Sequence, residues 1–365
     1  MPLITILFSM VMMYVTSFGV NVLIGEIVKD FQTTVSNVQF VIVSASLIAG
    51  ALMVTAGKLG DKFGKKKIFL LGVLVYTIGI TIVLFSPNIS VFTIAWGIVW
   101  PLGMVLIIPT SIALIVSVYE GEQRAAAFGI YGAVLAAISA IAPVIVGYLA
   151  NTMGWRVALA ISPIAGVLTL FLASRLPNTE KDDSVKIDIL SVILSVIGFG
   201  LFLITTTSAS KFGWLMAKRP FMIGGEEIGF AGLSVVPVGY AISIAFLLAF
   251  IVRGIKLKEA GRSPLLGVSI LKNKTFTIGM VIGALLFLVT AGALFGLSVF
   301  LQAGAKFDSL QTALTLLPYS ASYAVVSFAT PNLAKKILPK FIVIIGSVIT
   351  IVSLWWLGQS ASMEM

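Results

Sequence analysis

Apolar runs of about 20 residues, parted by brief polar breaks, recur along the whole chain. A bilayer core of about 30 Å is crossed by a helix of that length. The pattern predicts eleven such spans, at residues 3–25, 37–57, 67–86, 90–118, 126–150, 157–175, 188–206, 233–252, 276–300, 309–330 and 341–359. Most breaks are short. The longest, Thr207 to Gly232, contains a glycine-rich stretch to Leu233 that is too short to span, and an interfacial or re-entrant connector is expected there.

Composition agrees with an all-α integral membrane protein. The chain is 59% hydrophobic and only 10% charged, too little charge for a water-facing globular surface. No basic segment precedes the first span and no small-residue cleavage site follows it, so it reads as a retained helix rather than a signal peptide. Cysteine and histidine are both absent, which removes disulfides, thiolate metal sites and the usual neutral-pH proton carrier. No cofactor or metal is implied.

Lysine and arginine set the orientation, because positive charge is retained on the cytoplasmic side. Breaks after even-numbered spans hold 18 of the 24 basic residues and the opposite breaks hold six, so the amino terminus is expected inside. The net charge of +10 then reflects topology and contact with membrane lipid headgroups. Nucleic acid is not an expected partner, since the basic residues are scattered among loops rather than gathered on one face.

Sliding the chain along itself by 274 residues lays Leu59-Gly60-Asp61-Lys62-Phe63 on Leu333-Ala334-Lys335-Lys336-Ile337 and the first three spans on the last three. Parallel halves of this kind are a transporter architecture with the substrate site near mid-membrane. The implied organisation is a six-span half (1–175), a cytoplasmic linker (176–187), two extra spans with their loops (188–275), and three spans of a second half (276–365). A complete second half would run to about residue 450, so a C-terminally truncated bundle is expected.

The break from Gly57 to Lys67 is the most informative stretch. Gly57 and Gly60 suit close helix approach, Gly64 suits a tight reversal, and Asp61 can accept amides or face a helix N-terminus among five lysines that reach toward headgroups. Gly57, Leu59, Gly60, Asp61, Lys62, Gly64, Lys65 and Lys66 resemble the signature between helices 2 and 3 of the major facilitator superfamily. The extra pair of spans resembles its fourteen-helix drug:proton antiporter group. Asn21-Val22, Pro109, Trp155-Arg156, Asp188, Gly213-Trp214, Pro264-Leu265-Leu266 and Leu301-Gln302 with Pro318 are similar to that group as well. Gly129, Pro143 and Gly147 match part of the antiporter motif of helix 5, in which Ile138, Ala142 and Val146 replace glycines.

The resemblance implies a plasma-membrane transporter rather than an enzyme, exporting small amphipathic compounds or drugs by alternating access, with the Gly57–Lys67 loop as a conformational switch. Two departures weaken proton coupling: Thr16 stands where the group carries an acid, and Gly97 where it carries an arginine. None of the 14 acidic residues lies deep in a span, and Glu26 and Asp188 at span ends are the nearest coupling candidates. Protons therefore remain only a candidate partner. Uncharged polar and aromatic residues form the candidate substrate path: Tyr14, Thr16, Ser17, Asn21, Gln39, Ser46, Trp96, Trp100, Tyr319 and Tyr323. The same types also serve as interface anchors and local backbone caps. An uncoupled lipid or metabolite facilitator and a non-transporting remnant are the alternative readings.

Overall fold

A computed structural model describes residues 2–179, 181–182, 185–223, 226–227, 232–262, 264–267, 272–334 and 336–363. The helices are α1 (Pro2–Asp30), α2 (Val35–Phe63), α3 (Lys65–Leu84), α4 (Ile89–Ile94), α5 (Trp100–Val118), α6 (Gly121–Met153), α7 (Trp155–Leu159), α8 (Ile161–Ser174), α9 (Ile189–Phe212), α10 (Val235–Glu259), α11 (Lys274–Val299), α12 (Ser309–Ala334) and α13 (Pro339–Met363). Two π-helical turns, Ala95–Val99 and Phe300–Gly304, continue α4 into α5 and extend α11.

Ten stretches among the described residues are long and apolar enough to cross a membrane. The remaining expected span, 309–330, coincides with α12, which is long enough at 26 residues but carries more polar side chains, among them Gln311, Thr312, Thr315 and Ser320. Short polar side chains start the helices: Thr34, Asn88, Asp188, Ser234 and Asn273 each accept an amide hydrogen bond at an N-cap.

The repeat is visible in the helix starts. Shifted by 274 residues, Val35 and Lys65 fall on Ser309 and Pro339, the first residues of α12 and α13. In the first copy a single residue, Gly64 at φ +92°, reverses the chain. Its counterpart is Leu338, for which that conformation is costly, and four residues separate α12 from α13. Lys335 of this copy lies outside the described residues, as do Glu180, Asp183 and Glu364 of the acidic inventory.

Among its described residues the connector after α9 forms paired strands rather than a helix. Ala217 donates to the Gly232 carbonyl and Ser234 to that of Leu215, and beyond them Met222–Ile223 pairs antiparallel with Glu226–Glu227.

Close contacts divide the chain into two compact units that do not follow chain order. The first comprises Met1–Met13, Ile27–Ala127 and Ala160–Ile270. Its centre is the α3–α5 contact, where glycines bring backbones together: a Cβ on Gly79 would lie 2.7 Å from the Trp100 nitrogen, and one on Gly103 would overlap the Tyr76 backbone. Tyr76 and Ser162 both donate to the Met12 carbonyl, at 2.9 and 3.1 Å. The extra pair, α9 and α10, also belongs here, with Ser243 donating to the Gly198 carbonyl at 2.9 Å.

The second unit comprises Tyr14–Glu26, Phe128–Leu159 and Leu271–Met365. In it the later half of α1 packs on α6, where Gly19 meets Val146. A Cβ on Gly147 of α6 would lie 2.7 Å from the Ser309 carbonyl oxygen of α12.

Candidate functional site

The basic break is mostly helical. The α2 helix runs through Asp61 and Lys62 to Phe63, and α3 starts at Lys65, so the expected loop reduces to Gly64. Gly57 and Gly60 do not bring α2 against α3; they face Pro109 and Thr110 of α5, with a Gly60 Cβ only 3.0 Å from Thr110. The side chain of Asp61 is exposed, and its carbonyl accepts the Asp182 amide at 3.1 Å. Leu59 and Lys65 are half-buried, and the Lys62 ammonium lies 5.4 Å from the centre of the Phe63 ring.

Lys66 organises this corner. Its ammonium donates to the Ser174 carbonyl at 3.0 Å, the Leu176 carbonyl at 2.5 Å and Asn178 Oδ1 at 3.2 Å, and its amide donates to Thr179 Oγ1. A cation at the C-terminus of α8 meets the carbonyls that the helix leaves unpaired. The turn thus grips the start of the linker to α9, a role that the lysine-rich sequence did not reveal because the partners, two carbonyls and the side chains of Asn178 and Thr179, lie more than 100 residues away.

At the end of that linker, Asp188 caps α9. It accepts from the Ser191 amide and hydroxyl and from Arg253 of α10, whose Nε and Nη2 both donate at 2.8 Å. The Arg253 hydrogen bonds hold its carboxyl far below the usual carboxylate range. Asp188 is thereby committed to joining α9 and α10.

The expected path residues separate. Trp96 and Trp100, 1% and 4% exposed, belong to the core of the first unit, in an aromatic column that runs Phe92, Trp96, Trp100, Tyr76 at centroid distances of 5.7, 5.0 and 5.8 Å. They pack rather than line a passage. Gln39 and Ser46 are exposed on α2, and Ser46 bonds its own helix.

Tyr14, Thr16, Ser17, Asn21, Tyr319 and Tyr323 fall together in the second unit. Tyr131 of α6 belongs to the same unit. Tyr14 stacks on Phe18 at 5.7 Å, while Thr16 is fully buried and Asn21 donates to the Ser17 carbonyl at 3.4 Å. Of the α6 motif, Pro143 is buried, Gly147 is packed against α12 and Gly129 faces open space.

Further along α1, Gln302 accepts from the Gly25 amide and donates to the Asn21 carbonyl, both at 2.7 Å. Glu26 accepts from Ser309 at 2.8 Å. Tyr131, Gln302 and Ser309 were not among the path candidates. A lone glutamine or serine in an apolar run signals a polar contact, but its partner, here 277 to 283 residues away, is not encoded nearby.

The Gly97 position has an evident consequence. A Cβ there would lie 3.2 Å from that of Ser44 on α2, so the space an arginine would need is already occupied.

The sequence profile of the Major Facilitator Superfamily matches residues 6–363. The chain belongs to this superfamily. It is 26% identical over 318 residues to the methylenomycin A resistance protein of Bacillus subtilis, covering 87% of this chain and 64% of that protein. It is 27% identical over 342 residues to the lincomycin resistance protein LmrB of the same organism, covering 93% and 67%. Against the multidrug resistance protein Stp of Mycobacterium tuberculosis the figures are 23% over 328 residues, 89% and 57%. The chain spans about six-tenths of the length of such relatives. The fold is that of the human organic anion transporter MFSD10, with a TM-score of 0.53 at 11% identity over 90% of this chain and 71% of that one. A proton-dependent oligopeptide transporter aligns at 0.56 and 18%, over 91% and 69%. This major facilitator chain is accordingly a multi-pass protein of the cell membrane with a lipid environment.

Proposed function

We propose that this chain carries a transport path for small amphipathic molecules, working by alternating access as part of an efflux transporter. The observation that carries the reading is that one compact unit holds Tyr14, Tyr131, Tyr319 and Tyr323 on α1, α6 and α12. Phenols offer apolar faces and hydroxyls without fixed charge, which suits cargo that must leave the site as readily as it enters. The resistance functions of the relatives support drug-like cargo over a metabolite. Transport rather than catalysis is also favoured by the residue types, since a membrane enzyme would need a cluster of acid, base or metal-binding groups.

Flux through this segment proceeds without a proton step of its own. Thr16 and Gly97 provide no titratable group, Asp188 is held ionised by Arg253, and a proton antiporter needs an intramembrane group whose charge changes during the cycle. Glu26, bonded to Ser309, is the remaining coupling candidate.

The test is efflux of a fluorescent lipophilic cation from proteoliposomes holding this chain, with and without an imposed pH gradient. Equal initial rates are expected. A rate that requires the gradient would return coupling to Glu26, and no flux above empty vesicles would remove the transport reading. Tyr14→Ala and Tyr323→Ala are each expected to slow flux about tenfold, corresponding to about 1.4 kcal/mol of lost contact.

A further inference from the structure

The carboxamide of Gln302 uses both of its polar ends on a single turn of α1. Its oxygen accepts from the Gly25 amide and its nitrogen donates to the Asn21 carbonyl, each at 2.7 Å, and these are the two backbone groups that an i, i+4 hydrogen bond would join. Gly25 permits the approach, since a Cβ there would lie 3.3 Å from the Gln302 oxygen. Gln302 is held in a π-helical turn, closed by Ala305 donating to the Phe300 carbonyl and Phe307 to that of Leu301, with Lys306 at φ +61°. A π turn and a left-handed lysine are costly local choices that the surrounding structure must hold in place.

By the charge-derived topology this end of α1, α11 and α12 is extracellular. Two further contacts lie beside it: Glu26 with Ser309, and Gly147 of α6 against the Ser309 carbonyl. The four contacting segments come from both repeat copies or from the helix-5 motif, so opening this end requires parting α1 from the π turn.

We propose that Gln302 is a positioning residue that clamps the extracellular end of α1 and sets how often that end opens. The proposal rests on the transport reading for its purpose, though not for its measurement. Breaking the clamp exposes a backbone amide and carbonyl that have another partner available within α1, so the loss is moderate. Loss of two intramembrane hydrogen bonds is a matter of about tenfold in opening.

The chain has no cysteine, so one can be introduced without background. Val22, one turn before Gly25 on α1, and Val73 on α3 are both fully buried. With Val22→Cys, labelling by a membrane-impermeant maleimide from outside the cell is expected to be slow in the parent. It should be about tenfold faster with Gln302→Leu and should also rise with Gly25→Ala, whose methyl displaces the carboxamide. A thiol placed instead by Val73→Cys should remain at its parent rate in both variants. Labelling of the α1 thiol within twofold of the parent in both variants, or an equal rise for the α3 thiol, would overturn the clamp. Should Gln302→Leu fail to reach the membrane, Gly25→Ala decides alone. Because labelling requires no cargo, absence of efflux with altered labelling removes the transport reading and leaves the clamp standing. Efflux with unaltered labelling does the reverse.

Discussion

Lys66 gives its ammonium to protein oxygens, two backbone carbonyls and Asn178 Oδ1. Three acceptors at the end of α8 surround its ammonium, so Lys66→Met should free the linker while leaving the helices inserted. Limited proteolysis should then cleave between residues 175 and 187 faster than in the parent. Unchanged cleavage would show that the Asp61–Asp182 and Thr179 bonds suffice. Gly64 is a separate case because its φ of +92° penalises any side chain, and a Cβ would also press on the Thr179 carbonyl at 3.3 Å. Gly64→Ala is expected to cost about 1 kcal/mol or more, read as a fall in the thermal unfolding midpoint. Asp188→Ala removes an N-cap and an ion pair together, for a loss of about 1–2 kcal/mol. Because Arg253 depresses the folded carboxyl below its unfolded value near 3.9, this stabilisation is complete above about pH 5 and is lost only in strong acid. Thermal unfolding of wild type against Asp188→Ala should therefore differ equally at pH 6 and pH 8.

Helix number and order were legible because a 20-residue apolar run has one stable solution in lipid. The ends were less so. Both α2 and α3 continue beyond the apolar run through Asp61 and Lys65, since a lysine favours a helix in water as well as near headgroups. The ribbon after α9 escaped detection because hydropathy cannot tell a short paired strand from a short interfacial helix. Packing partners were unreadable too: Gly57 and Gly60 signal a close approach but do not say that its object is α5. The α3–α5 contact makes the strictest demand. Gly103 admits no side chain against Tyr76, so Gly103→Leu should prevent accumulation of folded protein, judged by size-exclusion of the detergent-solubilised chain. By contrast, Gly129→Ala on α6 meets open space and should leave it unchanged.

Across the whole chain, the repeat was the feature that sequence carried most faithfully, to the first residues of α12 and α13. What it could not carry was the grouping of phenols on α1, α6 and α12 in one compact unit, or the bracing of α1 by Gln302, because these depend on tertiary placement of residues hundreds of positions apart. Gly97 lies in the π turn with Ser44 of α2 close against it, a Cβ there meeting that of Ser44 at 3.2 Å. Gly97→Arg should accordingly lower stability and leave flux indifferent to a pH gradient, measured in the same vesicles. A gain of gradient dependence from that one change would mean that the rest of a proton relay had been retained.

The grip of Lys66 also limits a length. Residues 176–187 could extend about 40 Å if free. With Leu176, Asn178, Thr179 and Asp182 tied to the α2–α3 corner, the chain from the last tie at Asp182 to the Asp188 cap can reach about 20 Å at most. The α9–α10 hairpin is therefore moored to α2 and α3 and follows them through any motion, more as an outrigger than as a hinge.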